Sequence, residues 1–452
     1  MSTSINKLQK IADFFQFQQL ETNFRTEAIA GLTTFATMAY ILAVNPDILS
    51  QAIFLKTPGD LFPELVIATA ISAAIATFIM GIYAKYPFAL APGMGLNAYF
   101  TFSVVLKLGI SWQVALAVVF IEGLIFLALT LTQLRQKIVK EIPESLKHAT
   151  AAGIGLFLAY IALTSTEIIV PSETTITTVG NLGKPTTVIA IAGIFITSAL
   201  VARRIKGALI LGILATALLG WILGIAPWPA GIISIPELPV NLFGRAFIGL
   251  ADLVKMKIWE LITILFAFLF VDFFDTVGTL TGLGVKAGYI NQKGELPKAN
   301  KAFMADAIGT SVGAIFGTST VTSYIESASG VAAGGRSGFT AVIVGLLFLV
   351  SIFFIPLLAA IPSFATAPAL LIVGVLMMSS VKNIRWEDPA ESISAFLTIL
   401  IMPLSYSISE GLAVGLISYP ILKSFQGKFN EVSISMWVFA AVFLLKIIVV
   451  GS

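Results

Sequence analysis

The sequence has no cysteine and a single histidine, His148. A zinc site of the usual Cys/His kind and a thiol nucleophile are therefore excluded. His148 lies in "PESLKHAT", beside basic residues at the edge of an apolar run, where an ordinary interfacial histidine accounts for it. Charge is scarce as well: 11% of residues are charged, against about a quarter in soluble domains. A formal net charge of +3, spread along the chain, gives no sign of nucleic-acid binding. The GxGD motif of membrane aspartyl proteases is missing. "GMGLNA" (93–98) fits the literal GxGxxA pattern of dinucleotide-binding folds, but the strand and soluble βαβ unit that pattern needs are not there. No enzyme chemistry, cofactor or metal is expected.

What is abundant is apolar. Hydrophobic residues make up 57% of the chain, and the mean hydropathy is +0.97. Apolar runs recur along nearly the whole length, and about 20 such residues cross a bilayer as helix. The first run follows a polar, amphipathic start and many more follow it, which excludes a lone signal or transit peptide. The expected fold class is an all-α polytopic membrane protein of about 14 transmembrane segments.

Reading runs against breakers gives spans near 28–49, 64–83, 88–105, 112–132, 149–165, 187–202 and 207–224. A second set lies near 258–280, 301–316, 318–333, 337–359, 366–381, 390–405 and 408–424. With the N-terminus inside, the inner loops hold twenty lysines and arginines and the outer loops six; Lys446 in the tail completes the 27. That asymmetry obeys the positive-inside rule and places the N-terminus in the cytoplasm of a bacterial-type plasma membrane.

Seven spans is an odd number, so the second set starts from the opposite side, as in an inverted repeat. A weak echo agrees: "ATAISAAIATF" (68–78) and "ADAIGTSVGAI" (305–315) keep similar apolar and small positions 237 residues apart. The resulting division is a cytoplasmic segment 1–26, a first repeat 27–224, an extracytoplasmic linker 225–257, a second repeat 258–424 and a C-terminal segment 425–452. The apolar run Ile434 to Val450 in the last is a fifteenth crossing or an interfacial helix.

Spans three and ten occupy matching positions and both are interrupted. Span three reads "FALAPGMGLNAYF", and span ten "FGTSTVTSYIESASGVAAGG". Proline removes a backbone donor and glycine costs about 1 kcal/mol against alanine inside a helix. Irregular backbone at membrane depth survives only inside protein or along a wet cavity. Broken segments at matching positions of two repeats point to a midplane substrate site, where half-helix N-termini offer N–H groups. Small-residue helix packing is the alternative, but it gives no reason to bury Glu326.

Other acids lie in the spans: Asp272 and Asp275 in "FLFVDFFDTVGTL", Asp306 on span nine and Glu122 on span four. A charge at the bilayer centre costs at least about 2.5 to 3.5 kcal/mol, so each needs a partner or a role. Asp275 and Glu326 are the foremost functional candidates. Asp272 and Asp306 are either functional or bonded to a neighbouring helix, and Glu122 reads as structural or interfacial.

At these residues the chain resembles the AzgA-type purine permeases, a branch of the nucleobase transporters with the uracil-transporter fold. The likeness runs through "TEAIAGLTTFATMAYILAVNPDILS", "ALAPGMGLNAYFTFSVV", "FVDFFDTVGTLTGLG", "ADAIGTSVGAIFGTSTVTSYIESASGVAAGGRSGFTAVIVGLLF" and "ATAPALLIVGVLMM". It implies fourteen spans in two inverted repeats, with a core of spans 1–4 and 8–11 and a gate of spans 5–7 and 12–14. It also implies proton-coupled uptake of hypoxanthine, guanine or adenine. By the same resemblance "FFDTVG" makes Asp275 the base-binding carboxylate and "SYIES" places Tyr324 and Glu326 at the site. Asn97 and Gly95 on span three and Thr37 and Ala36 on span one complete the set. Where uracil-type relatives carry Glu followed by His on span eight, this chain has Asp275 and Thr276, and a shorter acid leaves room for a bicyclic base.

The chemistry is consistent with that expectation. A carboxylate can accept two N–H bonds from a purine edge, and charge-assisted bonds are roughly twice as strong as neutral ones. A carboxylate inside the membrane can also gain and lose a proton in each cycle, with Asp275, Glu326, Asp306 and Asp272 as carriers. The expected partners are a purine nucleobase, a proton ahead of sodium, the lipid bilayer and, as one assembly, a second copy in a homodimer. An anion exchanger on the same fold and a nucleobase-permeable channel are the alternatives.

Overall fold

The structure is a computed structural model that describes residues 2–132, 141–291 and 296–450, and their side chains except those of 2–7, 446, 449 and 450. Arg135, Lys137, Lys140 and Lys293, assigned above to inner loops, lie outside the described residues.

An amphipathic helix, α1 (Ser2–Phe14), precedes the first crossing, which is two helices, α2 (Phe24–Met38) and α3 (Ile41–Leu49). The break falls at Ala39 and Tyr40, and Pro46 inside α3, which has no N–H for the Leu42 carbonyl, adds a second irregularity to this span. Next come α4 (Phe62–Ile79), prolonged by a wide turn to Ala84, then β1 (Leu90–Pro92) and α5 (Met94–Ala98), prolonged to Lys107. Helices α6 (Trp112–Leu131), α7 (Glu144–Ser165), α8 (Pro185–Ala202) and α9 (Ala208–Ile222) complete the first half. A small hairpin, β2 (Ile169–Ser172) with β3 (Ile176–Val179), separates α7 from α8.

A short helix, α10 (Arg245–Asp252), lies in the connecting segment and packs on α6. The second half holds α11 (Ile258–Ala287), α12 (Ala299–Phe316), β4 (Val321–Ser323), α13 (Ser327–Ala332), α14 (Gly338–Ser351), α15 (Ile355–Ala359), α16 (Ser363–Met378), α17 (Pro389–Ser405) and α18 (Ile408–Phe425). A last helix, α19 (Ile434–Val450), buries Met436, Ala440 and Phe443 on one face and sets Phe439 and Phe443 against Phe266 of α11. Among the described residues, eight helical runs are long and apolar enough to cross a membrane, and α9, α17 and residues 434–445 are shorter apolar helices.

Two helix ends differ most from the sequence reading. Helix α7 starts at Glu144, ahead of the apolar run, and α11 continues to Ala287, where Gly288 at φ 71° ends it. Polar turns that project beyond the apolar stretch are invisible to hydropathy, whereas a left-handed glycine is a true stop.

The helices pack as two groups. In one, α12 packs on α4 and α6, and α14 on α2 and α4; in the other, α7, α8, α9, α16, α17 and α18 pack on one another. Helix α11 lies between them, touching α6 and α13 on one side and α7, α18 and α19 on the other. Each group has a seam where glycines face each other. A Cβ on Gly338 would lie 1.9 Å from the Gly81 carbonyl oxygen, and one on Gly374 would lie 2.4 Å from that of Gly155. Such contacts let membrane helices approach closely enough for backbone dispersion to hold them.

The start of α14 is fixed by a buried acid from α2. Glu27 accepts from the amides of Arg336 (2.9 Å), Ser337 and Thr340 (both 3.2 Å) and from the Thr340 hydroxyl (2.6 Å). A carboxylate on the free N–H groups of a helix N-terminus meets both their hydrogen-bonding need and the positive end of the helix dipole.

Candidate functional site

The two interrupted segments meet. β1 pairs antiparallel with β4 in the register Leu90 to Ser323, Ala91 to Thr322 and Pro92 to Val321. The Tyr324 amide donates to Ala89 (3.0 Å) and the Gly93 amide to Thr320 (2.9 Å). Thr77 of α4 accepts from the Leu90 amide and donates to its carbonyl, and Thr310 of α12 donates to Val321. Ser327 accepts from the Ala89 amide. Backbone groups that neither helix nor water serves are thus satisfied inside the protein, the condition for non-helical chain at membrane depth.

Past the strands the chain turns into α5 and α13. At α5, Gly93 is extended, and the first-turn amides of Met94, Gly95 and Leu96 have no intrahelical acceptor. At α13 the expectation of free N–H groups fails. Ser327, Ala328 and Ser329 donate to the carbonyls of Tyr324 (3.1 Å), Ile325 and Glu326 (both 2.9 Å) in a tight first turn. That turn spends the α13 amides, so the Glu326 side chain is what this end can offer a ligand.

Four expected or neighbouring groups converge here. Glu326 Oε1 accepts from the Tyr40 hydroxyl at 2.9 Å. The Asp275 and Glu326 carboxylates lie close enough to repel each other, and Tyr40 and Tyr324 interact with both. Asp275 is exposed and Glu326 half-buried, so both reach a cleft between α11 and α13. The α11 face that carries Asp275 also carries Gly278 and Gly282. A Cβ on Gly278 would meet nothing within 4 Å, and one on Gly282 only Ile325. The wall beside Asp275 therefore carries no side chain at positions 278 and 282. Tyr324 donates its hydroxyl to Pro92 at 2.5 Å and so closes one broken segment onto the other.

A second set of acids lies behind the strand pair. Thr276 Oγ1 is 3.0 Å from both Asp306 oxygens, 2.9 Å from Thr322 Oγ1 and 3.5 Å from Asp272 Oδ1. Thr320 donates to Glu122 at 2.6 Å. Asp272, Asp306 and Glu122 are fully buried. The structure thus parts the four proton-carrier candidates into a cleft pair, Asp275 and Glu326, and a buried pair, Asp272 and Asp306.

The remaining candidates sit around the cleft in other ways. Asn97 is buried and accepts from the Ser319 hydroxyl, while its Nδ2 has no hydrogen-bond partner among the described residues. Gly95 abuts Ile154 of α7, and the Ala36 carbonyl abuts Gly207 at the start of α9. Both therefore lie on the seam between the two helix groups. Thr37 bonds Ser329 Oγ at 2.9 Å and fastens α2 to α13. Sequence reasoning missed Tyr40. Its signal was a phenol within an apolar run, where a buried O–H needs an acceptor.

The matched sequence patterns now bear on this geometry. The permease-family model Xan_ur_permease matches residues 25–414. The chain belongs to the xanthine/uracil permease family. This permease is 46% identical over 444 residues to the guanine/hypoxanthine permease PbuG of Bacillus subtilis, with 96% of this chain and 99% of that one covered. It is 42% identical over 446 residues to the adenine permease AdeQ of Escherichia coli, covering 98% of each. Its structure is similar to the transmembrane domain of the cyanobacterial bicarbonate transporter BicA, with a TM-score of 0.60 over 87% of this chain and 97% of that one. At 17% identity, that likeness concerns the fold. The permease is a membrane transporter of the nucleobase-permease kind, not an enzyme, and the purine-permease resemblance seen in the sequence holds.

Proposed function

We propose that this permease imports purine nucleobases by proton symport across a plasma membrane, with its N-terminus in the cytoplasm. The observation that carries the reading is the pair of carboxylates, Asp275 on α11 and Glu326 before α13, facing one cleft beside the bare glycine wall of α11. A purine edge presents N–H groups in line, which carboxylates accept, and its flat face suits a wall without side chains. The relatives' names, guanine/hypoxanthine and adenine permeases, fit that chemistry.

Two carboxylates that repel each other hold a proton between them more readily than one alone. Protonation of one, with the other left as acceptor, gives a cleft that binds a neutral base and a proton together. Release on the other side then discharges both. Asp272 and Asp306 offer a second place for the proton behind the strands. Alternating exposure arises as the group holding α2, α4, α6, α12 and α14 moves against the group of α7 to α9 and α16 to α18, with Gly95 and Ala36 on the sliding seam. An anion exchanger is disfavoured, because the two acids repel an anion from the same cleft.

Equilibrium binding to the purified protein tests the site. Hypoxanthine, guanine or adenine binds, bicarbonate does not compete, and Glu326→Gln weakens the purine by about 1.5 to 3 kcal/mol, roughly ten- to a hundredfold. Unchanged purine affinity in well-folded Glu326→Gln protein removes Glu326 from the site.

A further inference from the structure

Away from the cleft, a cavity of about 160 Å³ opens where the end of the segment following α1 meets the ends of α4 and α12. Its described lining includes Lys85, Lys298 and Arg336, with the rings of Tyr86 and Tyr289, and no acidic side chain. The two rings lie 5.5 Å apart between centroids, and each hydroxyl is turned to a backbone carbonyl, Tyr86 to Pro297 and Tyr289 to Arg336. Neither phenol is therefore a competing anion. The Glu27 carboxylate behind Arg336 is spent on the amides of Arg336, Ser337 and Thr340. Burial, and then repulsion from Lys298 and Lys301, hold the Lys85 ammonium below its ordinary lysine value, so the cations here crowd one another. Lys85 and Lys298 are both held there by left-handed backbone, at φ 67° and 59°.

Two further observations say what kind of anion fits. Pockets that enclose a whole drug-sized ligand run to roughly 300–1,000 Å³. This one is smaller, so it takes a head group whose remainder stays outside. The second is its neighbour. Helix α1 exposes Leu8, Ile11 and Phe14, a row of apolar side chains, and also exposes Lys10. An amphipathic helix of that composition lies in the plane of a membrane surface. Lys85 Nζ donates to the Phe14 carbonyl at 2.9 Å and lies over the Phe14 ring, so the cavity is fastened to the lipid-facing helix.

We infer that Lys85, Lys298 and Arg336 form a site for the phosphate of an anionic phospholipid, at the membrane surface between the α1 segment and the ends of α4 and α12. Basic pockets at the cytoplasmic ends of membrane helices hold such head groups. The bound phosphate relieves the repulsion among the cations and pins the α1 segment to the helix group that carries α13. Arg336 links the site to the broken segment, because its guanidinium donates to Val331 (2.7 Å) and Gly335 (2.9 Å) at the end of α13.

The test uses the purified full-length protein in neutral detergent, with short-chain phosphatidylglycerol as probe and thermal stability as readout. A ligand that binds only the folded form raises Tm with a saturable dose response. Phosphatidylglycerol is expected to do so, while phosphatidylcholine, inorganic phosphate and guanosine monophosphate at equal concentration do not. Lys85→Gln with Lys298→Gln shifts the phosphatidylglycerol midpoint at least tenfold, and Lys206→Gln leaves it in place. Lys298→Gln alone, an exposed position, gives a smaller shift in the same direction and decides the matter if the double variant does not fold. An unshifted midpoint in the Lys298 variant overturns the site. A response to inorganic phosphate or guanosine monophosphate equal to that of the lipid overturns its assignment to lipid.

Discussion

At the scale of single residues, the contact between Tyr40 and Glu326 tests the proposed site. The phenol holds one carboxylate oxygen at 2.9 Å. Tyr40→Phe keeps the ring and removes only that donor, and a hydrogen bond to a charged group contributes about 1.5 to 3 kcal/mol. Purine affinity is expected to fall about tenfold in a protein of unaltered Tm, as read by equilibrium binding; unchanged affinity would make the contact incidental. Asp275→Asn addresses coupling. The amide mimics a permanently protonated acid, so purine still binds and exchanges, but accumulation is lost and the residual exchange ignores pH and protonophore. Accumulation with normal pH dependence in this variant would move the coupling acid to Glu326 or Asp306. Asp275 and Glu326 were legible in the sequence because an acid in an apolar run costs several kcal/mol and demands a reason. Tyr40 was not, since an aromatic in such a run reads as core. Gly95 and Ala36 abut Ile154 and Gly207, neighbours on other helices that no local pattern reveals.

The broken spans were legible as elements, and their pairing was not. Pro92, Gly93 and Gly95 announce an interruption wherever they fall. That the interruption becomes a strand depends on β4, more than two hundred residues away, supplying its hydrogen bonds. The Gly81 and Gly338 seam is a similar long-range fact. Gly338→Ala drives a methyl group against the Gly81 carbonyl, and overpacking of a tight interior costs typically about 1 to 3 kcal/mol. A lowered Tm is expected; wild-type Tm would mean the helices can part freely. At the opposite group, Asp388 caps α17 and binds Lys423 at 2.7 Å, Gln426 at 2.9 Å and the Ala390 amide at 3.0 Å. Burial alone would raise its carboxyl, but the Lys423 ammonium and those donors hold it well below the usual carboxylate range. A depressed folded value means that the stabilisation is complete above the unfolded carboxylate value of about 4 and is lost as pH falls below it. Tm measured from pH 7 downward should therefore drop less steeply below about pH 4 in Asp388→Asn than in the wild type. Parallel curves would show that the clamp carries no pH-dependent stability.

On the scale of the whole molecule, the helices form two groups with α11 between them, and the lysine and arginine asymmetry is the basis of the proposed direction across the membrane. The cysteine-free chain makes the direction testable. A cysteine introduced at Lys206 or Lys382 should resist an impermeant thiol reagent in intact cells, and one at Glu237 should react. Labelling at position 206 from outside would invert the topology. That the chain is a bundle of many apolar helices was legible because apolar runs are local signals. The packing of α19 onto α11 and α18 was not, since an apolar run alone does not say which helices it meets. The central claim, proton-driven uptake of purine, is tested most directly by following labelled hypoxanthine, guanine and adenine in cells that lack their own purine permeases. The account predicts accumulation of at least one of them above its external concentration, abolished by a protonophore. Entry that only equilibrates, or accumulation that a protonophore leaves intact, would contradict it.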